Sequence, residues 1–191
     1  MIPRRAAICC SAALLLAACA APPLTLYTLE TTPSPMAALP LGKKPLVIAV
    51  ARITIPDELD TENIVIRDGN TLRRSTQGRW GTRLSLGITG RLTQRLAERR
   101  PDALVTDRPL TETPAYRVLI NISRLDITPA GEATCDADWL IVPQDSAKPA
   151  RRDRAHLTAT GRAATDQEVV TLISTVLDQL ATRIDIAWPR G

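Results

Sequence analysis

YRVLINISRLDI, residues 116–127, is a run whose length and content of β-branched residues are typical of a central β-strand. Two further strand-like runs follow at residues 133–142 and 155–163, with a turn rich in proline and arginine between them. Because successive strands joined by short turns usually pair with each other, the sequence predicts an antiparallel meander.

Three more strand-like runs precede the meander. Residues 24–29 alternate leucine with threonine or tyrosine, and residues 46–53 form a β-rich run suited to burial on both faces. Residues 64–67 form a short run before the turn signal Asp-Gly-Asn, and we expect it to lie beside the second run in one sheet. The proline-rich segment 31–45 has no periodicity, which predicts a loop or tether.

Two segments have helical periodicity. Between residues 79 and 99, apolar side chains recur every four residues from Trp80 onward, which favours an amphipathic helix that ends at Pro101. Three glycines weaken this prediction, since each costs up to about 1 kcal/mol in a helix interior. The capping box at residues 165–168 opens a second amphipathic helix. The patterns predict an α/β single domain, with a mixed β-sheet of about five to six strands and two amphipathic helices packed on it.

The N-terminal residues have the features of an export signal. A basic start at Arg4 and Arg5 precedes an apolar run without acidic residues, which is too short to span a bilayer comfortably. The run ends in Leu-Ala-Ala-Cys, the form of a bacterial lipobox, in which the Cys19 thiol receives a diacylglyceryl group. The alternatives are an ordinary cleaved signal and a buried structural helix.

The lipobox sets the predicted domain organisation. We expect a lipoprotein signal peptide at residues 1–18, a lipidated anchor and short tether at 19–23, and one folded domain at 24–191. Removal of the signal takes the formal net charge from +4 to +2, because it contains two arginines and no acidic residue. With so little charge, and with no Phe, two Tyr and three Trp, the mature chain is not expected to bind nucleic acid.

Residues able to support catalysis are few. The chain has one histidine, His156, so no His-pair metal site can form, and its neighbours indicate a strand residue. Cys135, Asp136 and Asp138 lie on one predicted strand, where successive side chains point to opposite faces. We expect Cys135 to be a buried apolar residue, with an intermolecular disulfide as the alternative. The sequence therefore predicts a protein that is not an enzyme, with no catalytic residues, metal or cofactor.

Cations are concentrated in two segments. Arg91, Arg95 and Arg99 lie four residues apart beside the apolar stripe of the first helix. They form either a solvated face or a contact with an acidic partner surface or lipid headgroups, where each cation contributes about 1 kcal/mol. Residues 148–154 contain proline and mixed charge, which favours a mobile hairpin loop.

The segment ITIPDELDTENIV, residues 53–65, resembles the ABC-transport auxiliary lipoproteins of the paraquat-inducible protein C (PqiC) type, which have an apolar strand, a Pro-x-x-Leu-Asp turn and a second strand in this order. The resemblance extends to residues 27–29, to Arg79-Trp80 with Leu84 at the start of the first helix, and to the closing helix. The chain departs from the family at residues 81–83, which are Gly-Thr-Arg where the family typically has Ala-Glu-Pro.

This resemblance implies a Gram-negative lipoprotein, anchored at the periplasmic face of the outer membrane, that works with an inner-membrane ABC or MCE-domain lipid-transport system. Ala20 after the acylated cysteine suits release to the outer membrane. An MCE-domain protein is the expected partner, and self-association is a further expectation. The alternatives are an envelope assembly factor, a peptidoglycan-associated lipoprotein and a hydrolase.

Two segments are the best candidates for contact with a partner or a second copy. They are the turn at residues 56–60 and the region that opens the first helix; the alternative is that Trp80 belongs to the core and that the turn is only a tight turn. The predicted partner-binding residues are Pro56, Leu59, Asp60, Arg79, Trp80, Arg83, Arg91 and Arg95.

Overall fold

The computed structural model describes residues 23–29, 46–186 and 188. Cys19, the signal peptide and the proline-rich tether predicted at 31–45 lie outside the described residues. None of the helices in the described part is long and apolar enough to cross a membrane. The elements are β1 (Thr25–Tyr27), β2 (Leu46–Val50), β3 (Asn63–Asp68), β4 (Thr71–Trp80), α1 (Leu84–Arg99), β5 (Ala103–Thr106), β6 (Tyr116–Ile127), β7 (Glu132–Pro143), β8 (Arg151–Thr160) and α2 (Asp166–Ile186).

A mixed five-stranded sheet forms the centre of the domain, in the order β5-β2-β6-β7-β8. The strands β5, β2 and β6 are parallel, whereas β6, β7 and β8 form the antiparallel meander that the sequence predicts. The loop predicted at residues 148–154 is too long, because residues 151–154 pair with β7 as the first part of β8. The run 116–127 is the middle strand of this sheet, with the predicted bounds. The α/β fold with a mixed sheet and two helices is confirmed.

A bulge in β6 keeps its apolar side chains on the core side. The pairing with β7 shifts register between Ile122 and Arg124. Before the shift Ile120 and Ile122 are buried, and after it Leu125 and Ile127 are buried, so the core-facing positions change from even to odd numbers. An extra residue in one strand has this effect because side chains alternate with period two.

A second sheet of three strands, which the sequence analysis did not predict, has the order β1-β4-β3. The expectation that residues 46–53 and 64–67 are neighbours in one sheet is wrong, because β2 belongs to the large sheet and β3 to the small one. The expectation that Trp80 begins the helical stripe is also wrong. Trp80 ends β4, where its backbone N–H donates to Glu62 at 2.7 Å, and α1 begins at Leu84.

Both helices pack on one face of the five-stranded sheet and on each other. The capping box of α2 is confirmed, since Glu168 Oε2 accepts the Thr165 N–H at 3.1 Å and Thr165 Oγ1 accepts the Glu168 N–H at 3.3 Å. The core between helices and sheet includes Ile88, Leu92, Cys135, Trp139, Ile141, Val176, Leu177 and Leu180. Along β7 and β8 the other face of the sheet is open to solvent and has polar side chains.

Candidate functional site

The turn at residues 56–60 is closed by its own backbone. The N–H groups of Leu59 and Asp60 both donate to the Pro56 carbonyl, at 2.9 and 3.2 Å. The Leu59 side chain is buried in the core, and Pro56 is half-buried. The turn therefore has a fixed shape and presents the Asp60 carboxylate to the start of α1.

That carboxylate organises a group of four residues, which we name the Asp60 cluster: Arg52, Asp60, Arg83 and Ser85. Asp60 Oδ1 accepts the Ser85 backbone N–H at 3.1 Å, and Asp60 Oδ2 lies 2.9 Å from Arg83 Nη2 and 3.5 Å from Arg52 Nη2. Arg52 Nη2 also donates to Ser85 Oγ at 2.8 Å. One carboxylate thus caps the helix and fixes two guanidinium groups.

The electrostatics of the cluster keep the carboxylate ionised. Burial alone would raise the pKa of Asp60, but hydrogen bonds from Ser85 and the charges of Arg83 and Arg52 outweigh it and lower the pKa below its ordinary value of 3.8. The Asp60 side chain is 16 % exposed, whereas those of Arg52 and Arg83 are 54 % and 56 % exposed. The two guanidinium groups share this one carboxylate, and the exposed acids Asp57 and Glu58 lie in the same turn.

Arg79 and Trp80 lie in β4 and stabilise the three-stranded sheet. Trp80 is buried in the core. Arg79 is half-buried, and its Nη1 donates to the carbonyls of Ser75 and Gly78, both at 2.7 Å. These bonds stabilise a bulge in β4. Ser75 Oγ, in the same bulge, donates a hydrogen bond to Asp166 Oδ2 of α2 at 2.7 Å. Both residues stabilise the fold around the start of α1.

Arg91 and Arg95 join the two helices through Asp178. Arg91 donates Nε and Nη2 to the two Asp178 oxygens at 3.0 and 2.9 Å, and Arg95 does so at 2.9 and 3.1 Å. The Arg91 side chain is only 7 % exposed, and its Nη1 donates to the Leu29 carbonyl at 2.8 Å. The hydrogen bonds that Arg95 donates to Asp178 and Glu98 raise the pKa of Arg95. These cations neutralise an acid of the same chain.

The structure therefore sorts the predicted partner-binding residues into two groups. Leu59, Trp80 and Arg91 are buried, and contacts within the chain occupy them. The half-buried residues Pro56, Arg79 and Arg95 belong with this group, since Arg79 and Arg95 bond within the chain and Pro56 closes its turn. Asp60 and Arg83 come together with Arg52, which the sequence analysis missed. The signal for Arg52 was its place just after a strand and before the 56–60 turn, but only the fold shows that it faces the helix start.

A second polar surface, also missed, lies on the open face of the five-stranded sheet. His156 Nδ1 and Asp136 Oδ1 are 2.5 Å apart, and Asn121 Nδ2 donates to Asp138 Oδ1 at 2.9 Å. The side chains of His156, Asp136 and Asp138 line an open groove of roughly 980 Å³ together with Arg152, Arg154 and Ser123. The alternation of polar residues along β7 and β8 was the available signal.

The charged side chains of the groove do not form a set of metal ligands in the described part of the chain. Within the described residues no three side chains of His, Cys, Asp or Glu come together as a metal site. Cys135 faces the core, away from the groove, and burial together with the charge of Asp136 raises its pKa to about 12. This confirms Cys135 as a buried residue, as its strand position predicts.

Solved structures share this fold at low sequence identity. A crystal structure of an uncharacterized protein aligns with a TM-score of 0.69 at 15% identity, over 85% of this chain and 97% of that one. A protein from Xanthomonas campestris, described under the family name DUF330, aligns with a TM-score of 0.62 at 18% identity, over 86% and 94%. Among curated protein sequences none matches the chain.

A family model described as "ABC-type transport auxiliary lipoprotein component" matches residues 27–185, which span the domain from β1 to the last turn of α2. The match includes the 56–60 turn, the start of α1 and the closing helix, the features on which the resemblance in the sequence depends. This chain belongs to the ABC-type transport auxiliary lipoprotein family.

Proposed function

We propose that this protein is a lipoprotein of the outer membrane that docks an ABC transport system of the MCE type, and that it has no catalytic role of its own. Membership of the transport auxiliary family carries the proposal. The Leu-Ala-Ala-Cys motif at residues 16–19 supports the anchor. The folded domain, in which two helices pack on a sheet, supports a docking role.

The anchor would hold the domain close to the membrane. An acylated Cys19 is five residues from Leu24, and an extended chain spans at most about 3.6 Å per residue, so the reach is below about 20 Å. Leu24 and Leu26 are 56 % and 65 % exposed beside this tether. Three acyl chains, at about 0.8 kcal/mol per buried CH₂, make such an anchor effectively permanent.

The Asp60 cluster is the docking surface that we favour. Its guanidinium groups are exposed, and the helix cap holds them in place, so binding would order few side-chain rotamers. The exposed guanidinium groups of Arg52 and Arg83 fit carboxylates on the transport partner, because arginine binds carboxylates in bidentate geometry.

The experiment is site-specific crosslinking in cells between this protein and the MCE-domain subunit, comparing Arg52→Glu/Arg83→Glu with Arg73→Glu. Arg73 is 66 % exposed and lies in the β3–β4 hairpin, paired with Asp68, so its reversal is a control for a charge change outside the Asp60 cluster. We expect the double reversal to reduce crosslinking roughly tenfold or more, as loss of two charge contacts implies, and the control to leave it unchanged.

Equal crosslinking by both variants would exclude the Asp60 cluster as the docking surface. Absence of crosslinks in the wild type, at every position tested, would contradict the transport role itself. An envelope hydrolase would instead lose activity when His156 is replaced while the fold remains intact.

A further inference from the structure

The outer edge of β8 is an open strand edge. The Gly161 N–H donates to the Gly131 carbonyl at 2.9 Å, so the odd-numbered residues of this strand direct their backbone groups toward β7. The backbone groups of the even-numbered residues then point away from β7. This direction is confirmed by Gln179 of α2, whose Nε2 donates to the Thr158 carbonyl at 3.3 Å. The helix covers the edge at Thr158.

Before that point the edge is unpaired. Among the described residues, the outward carbonyls of Arg152, Arg154 and His156 have no hydrogen-bond partner, and neither do the N–H groups of Arg152 and His156. The outward N–H of Arg154 donates to Asp153 Oδ1, the carboxylate of the preceding residue, at 2.8 Å. A row of alternating donors and acceptors of this kind is a template for another strand.

The side chains that β8 places along this edge are mainly basic, and the acids on the same face, Asp136 and Asp138 of β7, contact His156 and Asn121. Arg152, Arg154 and His156 lie on the open face of the sheet, since the odd-numbered Leu157 of the same strand faces the core and successive side chains alternate between faces. Within the described part of the chain, the guanidinium groups of Arg152 and Arg154 form no hydrogen bond or ion pair, and Lys148 and Arg151 precede them. Asp153 is the one acid between residues 148 and 154.

We propose that β8 binds an extended acidic segment of a partner protein, which adds to the five-stranded sheet as an antiparallel sixth strand. Its acidic side chains would lie on the open face, against Arg152 and Arg154, because directly opposed residues of paired strands share a face. The inference deepens the proposed docking function and rests on it for the source of the segment.

Two other occupants fit the edge less well. A second copy paired through β8 about a two-fold axis would oppose cationic side chains of the two copies, such as Arg154 with Arg154 or with Arg152, and opposed like charges destabilise a sheet. An anionic lipid headgroup can pair with the arginine side chains, but it supplies no alternating donors and acceptors for the backbone groups of β8. An acidic peptide strand satisfies both the side chains and the edge.

The test uses the exported chain, purified from the cell envelope in a neutral detergent, and an acetylated ten-residue peptide of alternating Glu and Val. We expect binding that slows amide hydrogen exchange at Arg152, Arg154 and His156, with little change at the intervening residues. A peptide of alternating Lys and Val is the charge control. Asp153→Ala should bind the acidic peptide more tightly, because it frees the Arg154 N–H and removes a like charge.

Backbone pairing is tested first through the peptide and then through the protein. Methylating the nitrogens of the Glu residues should weaken binding at least roughly tenfold, since these residues face β8, whereas methylating the Val nitrogens should be tolerated. Arg154→Pro should also abolish binding and still fold, because its N–H points away from β7, while Arg154→Ala should only weaken it.

Three results would overturn the proposal: equal binding of the two methylated peptides, binding of phosphatidylglycerol vesicles but not of the peptide, and exchange protection of β8 that rises with protein concentration alone. Any of these leaves the transport role standing, with another surface or ligand. Peptide binding in the absence of any crosslink to an MCE-domain subunit would instead uphold the β8 site and contradict the proposed function.

Discussion

Asp60 Oδ1 lies 3.1 Å from the backbone nitrogen of Ser85, and this carboxylate caps helix α1 from a turn 25 residues earlier in the chain. The residue at the N-cap position, Arg83, makes no side-chain cap. We expect Asp60→Ala to lower the free energy of unfolding by about 1–2 kcal/mol, as the loss of a helix cap does. Urea unfolding measures the change. Asp57→Ala, at an exposed position of the same turn, is the control and should change it by less than about 0.5 kcal/mol.

The ionised state of two carboxylates predicts the response to acid. Asp126 is buried, which would raise its pKa, but hydrogen bonds from Arg67 and Arg124 outweigh this and lower it, as Ser85 and the arginines do for Asp60. A carboxylate with a lowered folded-state pKa stabilises the protein fully above its unfolded pKa of about 4, and this contribution is lost as the pH falls through the folded value.

We therefore expect the unfolding free energy to fall below about pH 4, and to fall less steeply in Asp126→Asn, which has no charge to lose. Urea midpoints measured from pH 7 to pH 2.5 test this. Parallel acid limbs in the wild type and Asp126→Asn would show that other groups control the acid response.

The ion pairs of Asp178 predict unequal costs for two arginines of one helix. Arg91→Ala removes a buried cation, leaves the Leu29 carbonyl without its donor, and should cost about 3 kcal/mol or more. Arg95→Ala removes a more exposed partner of the same carboxylate and should cost about 1 kcal/mol. Thermal unfolding of both variants measures the difference. Equal costs would mean that the Arg91–Leu29 contact does not hold the N-terminal segment to the helices.

Two glycines with positive φ predict a steric contrast. At Gly131, φ is +83°, and an added Cβ would collide with the Gly161 carbonyl oxygen, whereas at Gly69, φ is +59° and nothing lies within 4 Å of the added atom. Gly69→Ala should cost only the left-handed backbone penalty of about 1 kcal/mol. Gly131→Ala should cost at least about 2 kcal/mol more, because the start of β7 and the end of β8 would have to move apart. Denaturant midpoints that fall equally would contradict this account of Gly131.

The buried thiol predicts slow labelling. With a pKa of about 12 and no access to solvent, Cys135 should react with a thiol reagent only as the protein unfolds. The exported chain should therefore show no rapidly reacting thiol at pH 8 and one after denaturation in guanidinium. A second thiol that reacts at once in the native state would be an unmodified Cys19.

Local patterns in the sequence predicted the elements with the clearest periodicity. The run 116–127 has the β-branched content of a central strand and is one, and the capping box at Thr165 and Glu168 forms as written. These predictions succeed because a strand buried in the middle of a sheet and a capped helix depend mainly on neighbouring residues.

The failures concern pairings between distant residues. Residues 71–80 (TLRRSTQGRW) have no strand-like alternation, so β4 was not predicted. Trp80 lies four residues before Leu84, and this helical spacing placed Trp80 in α1. Pairing of β4 with β1 and β3 instead makes Trp80 the last residue of a strand. Similarly, Arg91 resembled a surface cation because its partners Leu29 and Asp178 lie 62 and 87 residues away. Tertiary contacts override local periodicity at such positions.

The whole account depends on a membrane anchor at the first residue of the exported chain. The most direct test is mass spectrometry of the N-terminal peptide of the protein isolated from the cell envelope. We predict a peptide that begins at Cys19 and has a diacylglyceryl group on sulfur and an acyl group on nitrogen. A peptide that begins elsewhere, or one with an unmodified Cys19, would contradict the account.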